Sequence, residues 1–196
     1  MLDTINKSGD QAVNIIANML SFARKSDASV FLHNPIILVD KILKLAEIDY
    51  DLKKQYDFKT IKIIKEYESN LPMLPCEDIK IQQVLLNILR NGAQAMQEST
   101  KDKNDPMFII RLLRETDTNM LRIEIEDNGP GMDEVIRKRI FEPFFTTKLV
   151  GVGTGLGLSV SYFIITENHS GKLSVESSPG SGSKFIIHLP LDKKKV

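Results

Sequence analysis

L-R-I-E-I-E-D-N-G-P-G, residues 121–131, alternates Leu121, Ile123 and Ile125 with Arg122, Glu124 and Glu126, then breaks into a glycine turn at Asp127. Period-two alternation marks a strand with one face on a core. A carboxylate ending such a strand, followed by Gly129 and Gly131, stands where a ligand can approach the backbone closely. The same string also suits an Asx turn, in which Asp127 serves only its own backbone. The segments on either side decide between the two.

Upstream, residues 82–96 read Q-Q-V-L-L-N-I-L-R-N-G-A-Q-A-M. Ile81, Val84, Leu85, Ile88, Leu89, Ala95 and Met96 recur with the helical period and are expected to face a core. Four-residue spacing sets Asn87 and Asn91 on the other face, with Gln83 and Gln94 extending the amide row. A solvated face normally carries Lys and Glu. Carboxamides instead offer carbonyl oxygens to a hard cation and N–H donors to phosphate without adding charge. Downstream come the Phe-rich F-E-P-F-F-T-T-K at 141–148 and the glycine run G-V-G-T-G-L-G-L at 151–158. A helix from about Leu156 to Asn168 would present its N-terminal N–H groups and positive dipole end to an anion. The run differs from the G-x-x-x-x-G-K-[ST] loop and follows no Rossmann strand, so neither of those nucleotide folds is implied.

The chain has 196 residues, enough for one main domain with a good core. Its 26 basic and 26 acidic residues cancel, so nothing in the balance points to nucleic acid or an anionic membrane surface. Cys76 is the single cysteine, which excludes an intrachain disulfide and suits a reducing, cytoplasmic compartment. No apolar run approaches the roughly 20 residues of a membrane span. Residues 3 to about 25 read as one helix whose seam of Ile5, Gly9, Ala12, Ile16, Met19 and Ala23 suits a partner helix or equally a globular core, without identifying the partner; a homodimer is one possible assembly. Polar K-S-D-A-S at 25–29 reads as a hinge. An amphipathic helix after Asn34-Pro35 and a strand in F-K-T-I-K-I-I-K-E-Y follow, and L-P-M-L-P punctuates before the amide helix. F-I-I-R-L-L and M-L-R-I-E-I-E form two strands about a D-T-N turn, and K-L-S-V-E-S with S-K-F-I-I-H-L closes a hairpin through P-G-S-G. Helices with mostly antiparallel strands predict a two-layer α/β sandwich, of the α+β kind.

Taken in order, amide helix, Asp-x-Gly-x-Gly after a strand, Phe-rich string and G-x-G-L-G-L resemble the ATP-binding domain of bacterial two-component sensor histidine kinases. The fold is shared with type II topoisomerases, MutL ATPases and a heat-shock chaperone. The resemblance runs from about residue 35 to 190 and implies a Bergerat-type sandwich with a mixed sheet, preceded by one N-terminal helix. It makes residues 29–196 the catalytic domain and 1–28, similar to the nitrogen-regulatory class, the second helix of a truncated dimerisation hairpin.

The resemblance also distributes roles. Asp127 would accept the exocyclic amine of adenine, with Gly129 and Gly131 making room and Ser183 supporting a bridging water. Gly153, Thr154, Gly155, Leu156, Gly157 and Leu158 would border the phosphates, although the two leucines also suit a core. The segment between Gly131 and Gly153 would be a lid, seated by Phe141, Phe144 and Phe145 and carrying Lys148 to the terminal phosphate; Arg137, Lys138 and Arg139 fall on its solvated helix. Asn91 would be the protein ligand of Mg²⁺. Asn87 stands where the hydrolysing relatives carry a glutamate base, and an amide cannot take that proton. ATP is therefore expected to be held for an external nucleophile, a histidine on a dimerisation hairpin, with a response regulator receiver domain as the onward partner. His33, His169 and His188 lie outside the phosphoacceptor pattern; a structural role, a helix cap and a surface strand position are their expected places. A nucleotide-binding regulatory module without transfer activity is the alternative. A Ser/Thr-directed relative and an ATPase with transducer domains fit less well. Two positions depart from the family: Gly92 follows the second Asn where Ala is usual, and Ser183 stands where Thr is usual.

Overall fold

The computed structural model describes residues 30–48, 58–98, 105–148 and 153–192. The expected N-terminal helix at 3–25, the hinge at 25–29 and the first two residues of the glycine run lie outside them.

Five strands make one mixed sheet: β2 (Lys62–Tyr67), β4 (Met107–Glu115), β5 (Met120–Asp127), β6 (Lys172–Ser177) and β7 (Ser183–Pro190), in the order β2-β4-β5-β7-β6. Only β2 and β4 run parallel. Alternation decides which face is buried. Phe108, Ile110 and Leu112 of β4, Leu121, Ile123 and Ile125 of β5 and Phe185, Ile187 and Leu189 of β7 all belong to the core. On the opposite face, register puts Arg111 beside Glu124, and Glu126 beside Lys184. There Arg111 also pairs with Glu66 at 2.6 Å, and the nearly buried Glu124 is held between Arg111 and Arg122. Cross-strand charges of opposite sign let this face remain polar without repulsion.

Helices cover the apolar face. α1 (Pro35–Ile48) starts where Asn34 Oδ1 accepts the N–H groups of Ile36 and Ile37, with proline in the first turn where its missing N–H costs nothing. It buries Leu38, Val39, Ile42, Leu43 and Ala46 and packs on α2 (Asp78–Glu98). The core stripe of α2 is as expected from Ile81 to Leu89 and at Met96, but Ala93 takes the buried place assigned to Ala95, which lines the cavity described below. A 21-residue straight helix of 3.6 residues per turn drifts around its axis, so the core stripe shifts by its last turns.

Two expectations need correction. The strand opening at Phe58 begins later, at Lys62; Phe58–Thr60 form a 3₁₀ turn that stacks Phe58 on Phe108, 6.1 Å between ring centres. L-P-M-L-P is not only punctuation, because β3 (Leu74–Cys76) pairs antiparallel with β1 (Phe31–His33), Pro75 opposite Leu32. A proline is tolerated in such a two-stranded ribbon since no neighbour requires its N–H on the open edge. Leu74 and Cys76 are fully buried, and burial pushes the Cys76 thiol up to about 12, so it is inert packing.

The third expected helix splits into α4 (Gly157–Phe163) and a π turn (Ile164–Asn168), after the short α3 (Glu134–Arg139). His169 closes the π turn as the predicted cap: Nδ1 lies 2.9 Å from Ile164 O, and Nε2 accepts the N–H of Glu77 at 3.2 Å. One imidazole thus joins the end of this helix to the start of α2. Burial holds its pKa below the usual range. His188 is only half-buried rather than on the surface proper, with Nε2 3.1 Å from Glu115.

Candidate nucleotide-binding site

The amide face of α2 forms the floor of a cavity of about 440 Å³. Asn87, Asn91, Asp127, Gly131, Lys148, Gly153, Thr154, Gly155, Gly157, Leu158 and Ser183 all line it, so the end of β5, the glycine run and the amide helix meet in one place. Two residues expected there lie behind the wall. Leu156 is 1% exposed and belongs to the core, and Gly129 is buried against the Asp127 carboxylate. Leucines at alternate positions on a helix start point to different sides, which separates Leu156 from Leu158.

Asp127 is 5% exposed and fixed by backbone: its Oδ1 accepts Gly129 N–H at 2.9 Å and Ser183 N–H at 3.3 Å. Burial pushes its pKa up to about 6 despite those two donors. The other oxygen, Oδ2, lies toward Gly92, where a Cβ would come within 3.3 Å of it. Gly182, at φ +74°, is required beside it, because a Cβ there would lie 1.9 Å from Asp127 O. Ser183 does more than the sequence suggested. Its hydroxyl is 3.1 Å from that of Ser177, which donates to Gly182 O at 2.8 Å and accepts Met132 N–H at 2.8 Å. With the Ser177 proton committed to Gly182, the Ser183 hydroxyl donates to Ser177 and keeps only acceptor capacity toward the cavity. Ser177 escaped the sequence reading; its place in V-E-S-S-P-G-S-G-S, closing onto Ser183 in the hairpin register, was the available signal.

Asn87 Nδ2 donates to Gly157 O at 3.1 Å and Ser161 Oγ at 3.3 Å, clamping α2 to the first turn of α4 beside the cavity. The Phe-rich string and the glycine run are also joined by backbone: Phe144 N–H donates to Gly155 O at 2.9 Å. Gly155 has φ +66°, and a Cβ would lie 2.4 Å from the Phe144 carbonyl carbon, so no other residue fits. Phe141 and Phe145 seat the segment as expected, against Tyr162 and under Arg139 respectively, but Phe144 remains 59% exposed with φ +66°. Its backbone is the working part. Of the basic residues on α3, Lys138 and Arg139 pair with Glu134 and Glu142.

Lys148 crosses to the amide helix, where Nζ donates to Asn91 Oδ1 at 3.2 Å and to Gln94 Oε1. Those oxygens therefore already coordinate a positive charge. Arg90, Met132, Ile136, Ile140 and Phe185 complete the wall and were not anticipated. The apolar members give the cavity that Asp127 enters an apolar share of its lining, and the 3.6-residue period of α3 was the clue to Ile136 and Ile140.

A buried carboxylate, an amide row carrying a lysine ammonium, and a glycine-lined turn thus share one cavity on a two-layer sandwich. The chain belongs to the histidine kinase-, DNA gyrase B- and HSP90-like ATPase family, whose model matches residues 76–193. It is 34% identical over 191 residues to the signal transduction histidine-protein kinase AtoS of Escherichia coli, covering 97% of this chain and 29% of AtoS. It is 33% identical over 164 residues to the sensory histidine kinase/phosphatase NtrB of Klebsiella oxytoca, covering 82% of this chain and 46% of NtrB. The chain thus spans less than half the length of these relatives. Among solved structures, the nucleotide-free catalytic domain of histidine kinase ThkA superposes with a TM-score of 0.67 at 26% identity, over 83% of this chain and 96% of that one. ThkA in complex with the response regulator TrrA matches in fold, with a TM-score of 0.74 at 23% identity over 98% of this chain and 51% of that chain. Among the described residues no helix is long and apolar enough to cross a membrane.

Proposed function

We propose that this chain is the catalytic, ATP-binding part of a two-component sensor histidine kinase, holding Mg-ATP for transfer of the γ-phosphoryl group to a histidine on a dimerisation hairpin. One observation carries the reading. Asp127, buried and aimed by two backbone donors, shares a single cavity with Asn87, Asn91 and the glycine turn.

Each residue then has a task. Asp127 accepts the exocyclic amine of adenine, where guanine would present a carbonyl and be repelled. Ser183 accepts from a water bridging to the base. Gly153, Gly155 and Gly157 admit the phosphates to backbone N–H groups, with Thr154 adding a hydroxyl. Residues 132–152 act as the lid, and Lys148 delivers its ammonium to the terminal phosphate. Asn91 would hold the magnesium, which neutralises phosphate charge when bound; the lysine ammonium on its carbonyl oxygen is evidence that the donor suits a cation. Asn87 cannot accept a proton from water, so the γ-phosphate survives until an imidazole reaches it. Residues 1–28 act as the second helix of that hairpin, and a receiver domain takes the phosphoryl group onward.

The test is transfer in trans. Labelled ATP should phosphorylate the histidine hairpin of the full-length protein only when this chain is added, and Asp127→Asn should abolish the label. Tight nucleotide binding without transfer to the hairpin would instead favour a regulatory module.

A further inference from the structure

Asn91 and Gln94, three residues apart on α2, both direct a carbonyl oxygen at the ammonium of Lys148. Neither oxygen carries a formal charge, and among the described residues no group of three His, Cys, Asp or Glu is placed to hold a metal. An ammonium and a divalent magnesium ion ask the same of a protein, namely hard oxygen lone pairs, with water or phosphate completing the shell. The Lys148 stem reaches this place past the glycine run: a Cβ on Gly153 would lie 3.1 Å from its Cδ. Lys148 is thereby within reach of both the amide pair and the phosphate end of the cavity.

We infer that Asn91 Oδ1 and Gln94 Oε1 together form a cation cradle that holds the Lys148 ammonium and yields to magnesium when Mg-ATP binds. The inference rests on the ATP reading and extends it: Gln94 becomes a metal-side residue, and Lys148 a tethered counter-ion that leaves the cradle before it can serve phosphate. Two like charges cannot share the pair of oxygens, so metal entry and lysine exit are one event. Arg90, also on the cavity wall, keeps a positive charge nearby in both states.

The measurement is calorimetric titration of the chain with a non-hydrolysable ATP analogue across a series of free magnesium concentrations, with EDTA as the metal-free reference. Gln94→Met, which keeps the length and removes the oxygen, should raise the magnesium midpoint by about fivefold. Gln94→Glu, which restores an oxygen and adds charge, should lower the midpoint below wild type. Lys148→Met should also lower it, because the competitor is gone. An unchanged midpoint in Gln94→Met beside a raised one in Asn91→Ala would overturn the cradle and leave Asn91 acting alone. A raised midpoint in Lys148→Met would overturn the competition. Equal binding in EDTA and in magnesium for wild type and Asn91→Ala alike would sink the magnesium reading itself.

Discussion

Gly92 lies directly against the ring of Phe108: a Cβ built on it would stand 2.6 Å from Cε1 and 2.8 Å from Cζ. Glycine in mid-helix gives up roughly 1 kcal/mol relative to alanine. The contact explains why it is there. Phe108 is fully buried and itself stacked on Phe58, so the ring has nowhere to retreat. Gly92→Ala is expected to lower stability by about 1–2 kcal/mol in chemical denaturation, overpacking outweighing the gain in propensity. Combined with Phe108→Leu, the same alanine should become neutral or stabilising, and additivity of the two changes would argue against the contact.

Asp127 should show a conflict between stability and binding. Its folded pKa of about 6 lies above the ordinary 3.8, so between those values the folded state binds more protons than the unfolded one. Stability from this group is then greatest below about pH 4 and declines as pH rises toward 6, leaving a cost on the order of 3 kcal/mol at neutral pH. Asp127→Asn keeps an oxygen for Gly129 and Ser183 and removes the buried charge. Thermal melts at pH 7.5 without nucleotide should therefore show a more stable variant, whereas calorimetry should show adenine nucleotides hardly binding to it.

The same titration governs affinity. On the proposed reading, a protonated Asp127 no longer offers a full acceptor to the adenine amine. Binding of an ATP analogue should be flat above pH 7 and about tenfold weaker at pH 5, following the fraction of carboxylate. A pH-independent affinity from 5 to 8 would place the base elsewhere in the cavity.

In the absence of nucleotide, Asn87→Asp tests the interhelical clamp, since it preserves shape and removes the donor to Gly157 O and Ser161 Oγ. A carboxylate facing a carbonyl oxygen leaves an uncompensated repulsion, and the expected loss is about 1–3 kcal/mol. Nucleotide affinity should fall with it. Asn87→Gln, longer by one methylene but still a donor, should lose less in the same denaturation assay.

His169 titrates in the opposite sense to Asp127. Burial holds its folded pKa below the ordinary 6.5, so its contribution is present above that value and fades as acid charges the unfolded chain preferentially. Protonation also removes the acceptor for Glu77 N–H. Subtracting the pH–stability curve of His169→Gln from that of wild type should leave a difference that shrinks as pH falls below 6.5; a constant difference would mean that the ring acts only by packing.

Much of this was legible beforehand because it depends on local period. Leu121, Ile123 and Ile125 announced β5, Ile81 to Leu89 announced the buried stripe of α2, and Asp127 with Gly131 announced one side of the pocket. What escaped depends on pairing across the chain. Pro75 disguised β3, whose partner lies 43 residues upstream at Leu32. Ser177 has meaning only once β6 and β7 set it beside Ser183. The His169 link to Glu77, across 92 positions, and the reach of Lys148 to Gln94 likewise arise from topology rather than from any local motif.

The two helices beneath the pocket are fastened twice, by Asn87 at the near end and by the His169 imidazole at the far end. A pair of rods pinned at two separate points can neither scissor nor slide while both ties hold. An arriving nucleotide therefore meets a platform whose shape is already decided. The tie between Phe144 N–H and Gly155 O stands apart from these two pins, joining the Phe-rich string to the glycine run without involving α2.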